Sequence, residues 1–485
     1  MALGNRRTIG LLPLVYLKED KRWVPRRSAF LQPPTLDVSL EIGRWDRTCI
    51  NCHATGGQPT EVMSNQLIAF DSGAAEFGIS CEACHGPGAE HVNLRQTERS
   101  GESLQDDDPI VNPANLSHDL SAQVCGGCHS IIERIDGHHV HQPGKVMDPK
   151  KLLHLGMNAE TRSHVKKFYR HMAEDLDTTK FTKLQMRGMF WGDGQPRIVG
   201  REYTALRESP CHTDGRASCL SCHQLHQEEN DDRSRDDWAD DQLAIGMRGD
   251  EACAQCHSDS RYTEQEHTRH GPRSAGSRCL NCHMPYTAYG LLKAVRNHTV
   301  SSPDLMSDRK AGRPNACNLC HLDRTEAWTA RHLGHWYGQA SPELGPASTN
   351  TAAGVLWSLQ GDASVRALTA WHLGWAPALS TLESTEWIPP LLAGLMDDPY
   401  DAVRYIAHKS LRALPGYADL EFDYVASGDQ RLQAIGSLLR DWTARPSPGL
   451  RNRPDLLIGR EGKLEVGRLT ELLKQRDDSP LHLLE

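Results

Sequence analysis

Residues 79–91 read Ile79-Ser80-Cys81-Glu82-Ala83-Cys84-His85-Gly86-Pro87-Gly88-Ala89-Glu90-His91. Two cysteines three positions apart, with histidine directly after the second, form one compact unit, Cys-x-x-Cys-His. The unit occurs seven times: Cys49-Cys52-His53, Cys81-Cys84-His85, Cys125-Cys128-His129, Cys219-Cys222-His223, Cys253-Cys256-His257, Cys279-Cys282-His283 and Cys317-Cys320-His321. It takes up 14 of the 15 cysteines, and no Cys-x-x-Cys lacks its histidine. Disulfide partners have no reason to repeat one spacing and one following residue. Zinc sites also use Cys-x-x-Cys pairs, but they do not require a histidine immediately afterwards. The repeated unit is the attachment signature of haem c. The two thiols add to the haem vinyl groups, and the histidine coordinates the iron from the proximal side. The sequence therefore predicts seven covalently attached haems.

Working outward, successive first cysteines lie 32, 44, 94, 34, 26 and 38 residues apart, so no fixed period supports a solenoid of haem modules. The short spacings leave no room for an ordinary apolar core around each haem. Only 6% of the 485 residues are aromatic, so the porphyrins themselves must supply buried apolar surface. The expected fold is mainly α, with much irregular structure wrapped on haems and few strands, those near the N-terminus. Three regions separate: a strand and loop segment over 1–45, the haem-bearing domain over 46–322, and a cysteine-free helical region over 323–485.

In the last region, Asp362-Ala363-Ser364-Val365-Arg366 resembles Asp401-Ala402-Val403-Arg404, with the two Val-Arg pairs 38 residues apart. Each opens a stretch with apolar residues at helical spacing. Asp398-Pro399 is a helix start, a cap followed by proline at the first helical position. A weaker third unit runs from Gln430 to Trp442. The pattern resembles HEAT-type repeats, helix pairs that stack in register. An unrelated small helical bundle is the alternative.

The formal charge of −9, with no basic block or stripe, argues against a nucleic-acid partner. No stretch reaches the roughly 18 apolar residues of a transmembrane helix. Haem c is attached outside the cytoplasm, which places the protein in the periplasm or another extracytoplasmic space. Asn5-Arg6-Arg7 followed by Ile9 to Leu17 imitates an export signal, but Pro13 interrupts it and Lys18 to Arg22 follows where small residues belong. The run reads instead as a hairpin: Val15-Tyr16-Leu17, a turn at Glu19-Asp20, and a return through Trp23-Val24. On this reading the export signal, and a further haem motif, are expected upstream of Met1.

Sixth ligands decide what the irons can do. A second histidine closes an iron for electron transfer; an open position admits substrate. Of 25 histidines, seven are proximal, and His332, His335, His372, His408 and His482 lie in the C-terminal region, which leaves 13 candidates. His91 follows a Gly-rich loop that can carry it over a neighbouring haem. His226 lies three residues after His223, too near for the same iron's other face, so it serves a neighbour. His267 and His270 precede the sixth motif, and His298 lies between the sixth and seventh. The 94-residue gap holds His138, His139, His141, His154, His164 and His171. The cluster 138–141 is expected to supply one ligand, taken as His139.

Cys211 is the cysteine left over. Glu208-Ser209-Pro210-Cys211-His212 is a haem motif with glutamate in the first cysteine's place, consistent with a free buried thiol or a single-thioether haem. His212 is a further distal candidate. No Cys-x-x-Cys-Lys is present, which argues against an ammonia-forming nitrite reductase haem. Asp106-Asp107-Asp108 and Asp236-Asp237 read as solvated loops.

The stretch 79–91 is similar to the cytochrome c554-type family of multihaem cytochromes, a group that includes hydroxylamine oxidoreductase-like and octahaem reductase proteins. Ser218-Cys219-Leu220-Ser221-Cys222-His223-Gln224-Leu225-His226 and Cys279-Leu280-Asn281-Cys282-His283-Met284-Pro285-Tyr286-Thr287-Ala288-Tyr289-Gly290 resemble bacterial members fused to helical repeats. The resemblance covers roughly residues 1–325. It implies that His91 is a distal ligand and that an eighth motif precedes the chain. Members differ in activity, so the resemblance carries no reaction with it. The expected function is electron transfer along closely packed, mostly bis-histidine haems, with redox proteins as partners and a docking face on the HEAT-like region. The alternative is reduction or oxidation of a small nitrogen or sulfur compound at one five-coordinate haem, with Arg187, Tyr203, Arg207 and Tyr262 available to it.

Overall fold

The computed structural model describes residues 2–3, 8–34, 45–64, 67–99, 108–131, 141–147, 187–444, 450, 452–481 and 483. Within them the protein is mainly helical, with much irregular chain and five two-stranded antiparallel sheets. The hairpin read from the sequence is present: Leu14–Leu17 pairs with Arg22–Pro25, Val15 opposite Val24 and Tyr16 opposite Trp23. Alternation of the side chains sends Val15, Leu17 and Val24 inward. Tyr16 and Trp23 pack against each other on the outer face, tilted, with ring centroids 5.3 Å apart.

The principal apolar core belongs to the C-terminal half. It is built largely from Ala353–Gln360, Ala363–His372, Ile388–Leu395 and Asp401–Arg412. Helix Ala363–His372 packs most extensively against Asp401–Arg412, the two helices that carry the repeated Val-Arg pairs. Between them lies a fully buried ion pair, with Arg366 Nε 2.6 Å from Asp398 Oδ2 and Nη2 3.1 Å from Oδ1. The second repeated arginine, Arg404, donates to the carbonyls of Asp398 (2.7 Å) and Tyr424 (2.8 Å). The N-terminal hairpin rests on this body. Ser28 hydrogen-bonds Asp401, and Lys409 reaches Glu19 at 2.5 Å.

The motif-bearing region has short helices and little apolar interior of its own. A small cluster of Ala122, Met147 and Tyr203 lies near the third motif, and another of Leu305, Ala330 and Leu333 near the seventh. The region is tied to the helical body by Arg197, whose guanidinium takes both Asp362 oxygens at 2.9 and 3.0 Å, and by Tyr286, whose ring packs tilted on Trp371 at 4.9 Å. Among the described residues no helix is long and apolar enough to cross a membrane.

Candidate haem-binding sites

Each motif forms a single helical turn. The histidine N–H reaches the first cysteine's carbonyl at 2.8 Å in 49–53, 125–129 and 253–257, and at 2.9 Å in 219–223 and 317–321. Cys81–His85 and Cys279–His283 are short α-helices. Positions i, i+3 and i+4 of a turn share one face. Both sulfurs and the imidazole therefore point to one side, the geometry that one porphyrin edge and its iron require. The third motif shows how tightly the surroundings fit: a Cβ on Gly126 would stand 2.5 Å from the Tyr203 ring.

The motifs also lie against one another. The Cys52 thiol contacts that of Cys128, Cys125 contacts Cys219, and Cys253 contacts Cys279. Cys84 lies within electrostatic reach of Cys125, Cys222 of Cys256, and Cys282 of Cys317 and Cys320. Each sulfur stands where a thioether would be in the haem-bearing protein. The seven motifs thus form one connected series, with the first and second reaching the third, and the third to seventh following in order.

The motif histidines are oriented from behind. Nδ1 of His85 donates to Val111 O (2.7 Å), that of His223 to Asp241 O (3.1 Å), and that of His283 to Ser301 O (3.0 Å). A donor bond at Nδ1 fixes the tautomer and leaves Nε2 as the ligand atom. His129 differs, because its Nδ1 faces the carboxylate of Glu202 at 2.8 Å. Burial works against the Glu202 carboxylate, but the hydrogen bond from His129 holds it down at about 2. Burial lowers the pKa of His223, His283 and His298, and pushes His321 down to about 4, so these rings are kept neutral, as a metal ligand must be.

Four of the histidines singled out as distal candidates face motif histidines of other turns. His226 faces His85 with ring centroids 6.1 Å apart and planes at 32°. His298 faces His223 at 6.3 Å and 22°, His267 faces His283 at 6.2 Å and 11°, and His270 faces His321 at 6.0 Å and 19°. A metal–imidazole bond is about 2 Å and a ring centre lies about 1.2 Å behind its nitrogen, so two imidazoles on opposite faces of one metal have centres about 6.4 Å apart. The residues present therefore fit a haem iron between each pair. His298 and His270 are also held at Nδ1, by Arg296 O (3.2 Å) and Thr268 O (2.6 Å). One turn, 265–270, supplies both His267 and His270, and Arg269 in the left-handed region (φ 58°) separates them.

The other candidates are placed differently. His91 is held by Asp108 at 2.7 Å and faces none of the motif histidines. His139 lies outside the described residues, but its neighbour His141 rests on Gly127 of the third motif, with Nε2 buried and without a hydrogen-bond partner among the described residues. His212 is buried, with Nδ1 on Ala217 O at 2.7 Å and its ring edge-on to His118 at 5.2 Å. Among the described residues no facing histidine is found for His53, His129 or His257. The exposed His257 ring meets Tyr262 edge-on at 5.3 Å. Sequence reasoning missed Glu202 and Gly276, and read Asp108, which holds His91, as part of a solvated loop. Each is joined to its histidine only by folding, and none carries a local signature.

A family model described as cytochrome c554 and c-prime matches residues 31–86, a stretch that ends just past His85 and holds the first two motifs whole. The multihaem cytochrome MtrA of Shewanella baltica (strain OS185) is 21% identical over 314 residues, which span 58% of this chain and 90% of that protein. The crystal structure of the outer cell wall cytochrome OcwA covers 89% of this chain and 82% of its own at 18% identity, with a TM-score of 0.37. The attachment turn, its family match and a multihaem relative aligned along most of its own length converge: the chain is a multihaem c-type cytochrome, an electron-transfer protein that carries covalently bound haem c.

Proposed function

We propose that the chain conducts electrons through seven haems attached at its seven motifs, with the pairs His85/His226, His223/His298, His283/His267 and His321/His270 closing four of the irons. The four ring pairs carry this reading: each pair of imidazoles stands at the separation that one metal sets. Bound haem supplies a one-electron couple. The protein's part is to hold each iron between two fixed rings, so that its geometry changes little with oxidation state, and to keep the motifs in contact along one series. His141, with its buried unpartnered Nε2, is the ligand we assign to the cluster 138–141. His91, oriented by Asp108, is a further distal candidate.

Covalent attachment of haem c places the protein in an extracytoplasmic compartment. Residues 323–485 are read as a HEAT-like body, supported by the side-by-side packing of the two Val-Arg helices, and they offer a face for a redox partner. Replacing His226, His267, His270 and His298 one at a time by alanine tests the pairing. Each variant is expected to convert one low-spin ferric site to high spin, read by magnetic circular dichroism. A variant with an unchanged spin count removes its pair from the scheme.

A second reading rests on the fifth motif. His257 is exposed and has Tyr262 as its ring neighbour, which suits an open iron where a small nitrogen or sulfur compound reacts. Binding of cyanide or nitrite to one ferric site of the unmodified protein supports this reading; no binding to any site leaves the carrier alone.

A further inference from the structure

Two side chains place fixed charges of opposite sign at different points along the motif series. At the third motif, Glu202 takes the Nδ1 of His129 at 2.8 Å, whereas His85, His223 and His283 donate to neutral backbone carbonyls. The Glu202 side chain is 23% exposed, so its charge is only partly screened. A carboxylate behind a ligating imidazole makes the ring a stronger donor and favours the oxidised metal. Arg201, whose Nη1 donates to Gly200 O at 2.7 Å, lies near both Glu202 and Cys52 of the first motif, so its positive charge offsets part of that of Glu202.

At the other end of the series, Arg296 grips the sixth motif's helix. Its Nη1 donates to Leu280 O (2.7 Å) and Met284 O (3.1 Å), and Nη2 donates to Asn281 Oδ1 (2.9 Å). Its guanidinium lies over the Tyr286 ring at 4.2 Å, and its charge reaches Cys320 of the seventh motif. These partners are all neutral, and no ion pair to Arg296 exists among the described residues. Arg278, directly before the sixth motif, is by contrast paired with Asp250 at 3.1 Å. A part-buried positive charge with no counter-ion favours the reduced state of a nearby metal, because the added electron is attracted to it at low dielectric.

We propose that Glu202 makes the third site the most reducing of the series and Arg296 makes the sixth and seventh the most oxidising, so that the series is graded and electrons run from residues 125–129 toward residues 279–321. The inference rests on the haem attachments and ligands proposed above. In each transfer one electron leaves the third site, which is oxidised from ferrous to ferric, and one arrives at the sixth or seventh, which is reduced from ferric to ferrous. No bond is made or broken and no proton moves. The electrons come from a reduced donor protein and leave to an oxidised acceptor protein.

The test is an equilibrium spectropotentiometric titration of the whole haem-bearing protein and its variants Glu202→Gln, Arg296→Gln and Arg296→Lys, with haem count by intact mass and spin state by magnetic circular dichroism. Glu202→Gln is expected to raise the lowest midpoint potential and leave the highest unmoved. Arg296→Gln is expected to lower the highest, and Arg296→Lys to restore it, since lysine keeps the charge but not the forked hydrogen bonds. Unmoved midpoints in variants with full haem count and low-spin sites overturn the gradient while leaving the ligand scheme standing. Equal shifts in the two Arg296 variants overturn it too, because they indicate packing rather than charge. Loss of haem or of low-spin character in Glu202→Gln overturns the ligand scheme at the third site and the gradient with it.

Discussion

Gly276 precedes the sixth motif, and the His270 ring lies directly against it. A Cβ at position 276 would stand 2.1 Å from His270 Cδ2, 2.5 Å from Cγ and 2.7 Å from Nε2. Carbon atoms in contact settle about 3.5–4.0 Å apart, so Gly276→Ala must drive the ring back by about 1.4 Å or more. A metal–ligand distance tolerates only about 0.2 Å. The fold can absorb the move, since the clashing atoms belong to a side chain and not to backbone, but the imidazole cannot remain opposite His321, 6.0 Å away between ring centres. The expected result is one ferric site per molecule changed from low to high spin, and able to bind carbon monoxide when reduced. Haem count by mass and helix content by far-ultraviolet circular dichroism should stay as in the unmodified protein. Gly271→Ala is the control: it lies in the same loop, and an added Cβ there has no heavy atom within 4 Å. A Gly276→Ala protein with every site still low-spin would show that His270 is not the ligand opposite His321.

Two predictions concern the helical body. Asp398→Ala leaves the Arg366 guanidinium charged and unpaired at 0% exposure, which should cost about 3–5 kcal/mol in guanidinium unfolding followed by circular dichroism. The double replacement Arg366→Met with Asp398→Leu should recover most of that, and a single-variant cost below about 1 kcal/mol refutes the ion pair's structural role. His372 is fully buried, with Nδ1 on Leu368 O at 2.7 Å, and burial pushes it down to about 4. Its unfolded form binds a proton near 6.5, so its contribution is present above that pH and is lost as the pH falls toward 4, about 3 kcal/mol in all. In His372→Gln the fall in unfolding free energy between pH 7 and 4 should shrink by about that amount; an unchanged slope would show that His372 does not titrate with folding.

Much of the site was legible because its chemistry is local. Cys-x-x-Cys-His needs one helical turn to bring two sulfurs and an imidazole to one face, and spacing alone reveals it. The hairpin of residues 14–25 follows from alternation about a turn. His226 lies three residues from His223, too near for the opposite face of the same iron, and its ring faces His85. Which distal ring meets which motif was not legible. His270 reaches His321 and His298 reaches His223 across separations that only tertiary packing closes. Glu202 lies 73 residues from His129, and Gly276 matters only because His270 folds onto it. The thin apolar interior of the haem-bearing region agrees with the composition, whereas the core of the C-terminal half comes from ordinary helical patterning.

The most direct test of the whole account is electron paramagnetic resonance of the fully oxidised protein, scaled to its haem count by intact mass. Seven motifs predict seven attached haems, and four ring pairs with planes 11–32° apart predict at least four rhombic low-spin ferric signals of the kind near-parallel imidazoles give. A mass corresponding to fewer than seven haems, or high-spin signals that leave fewer than four low-spin sites, would contradict it.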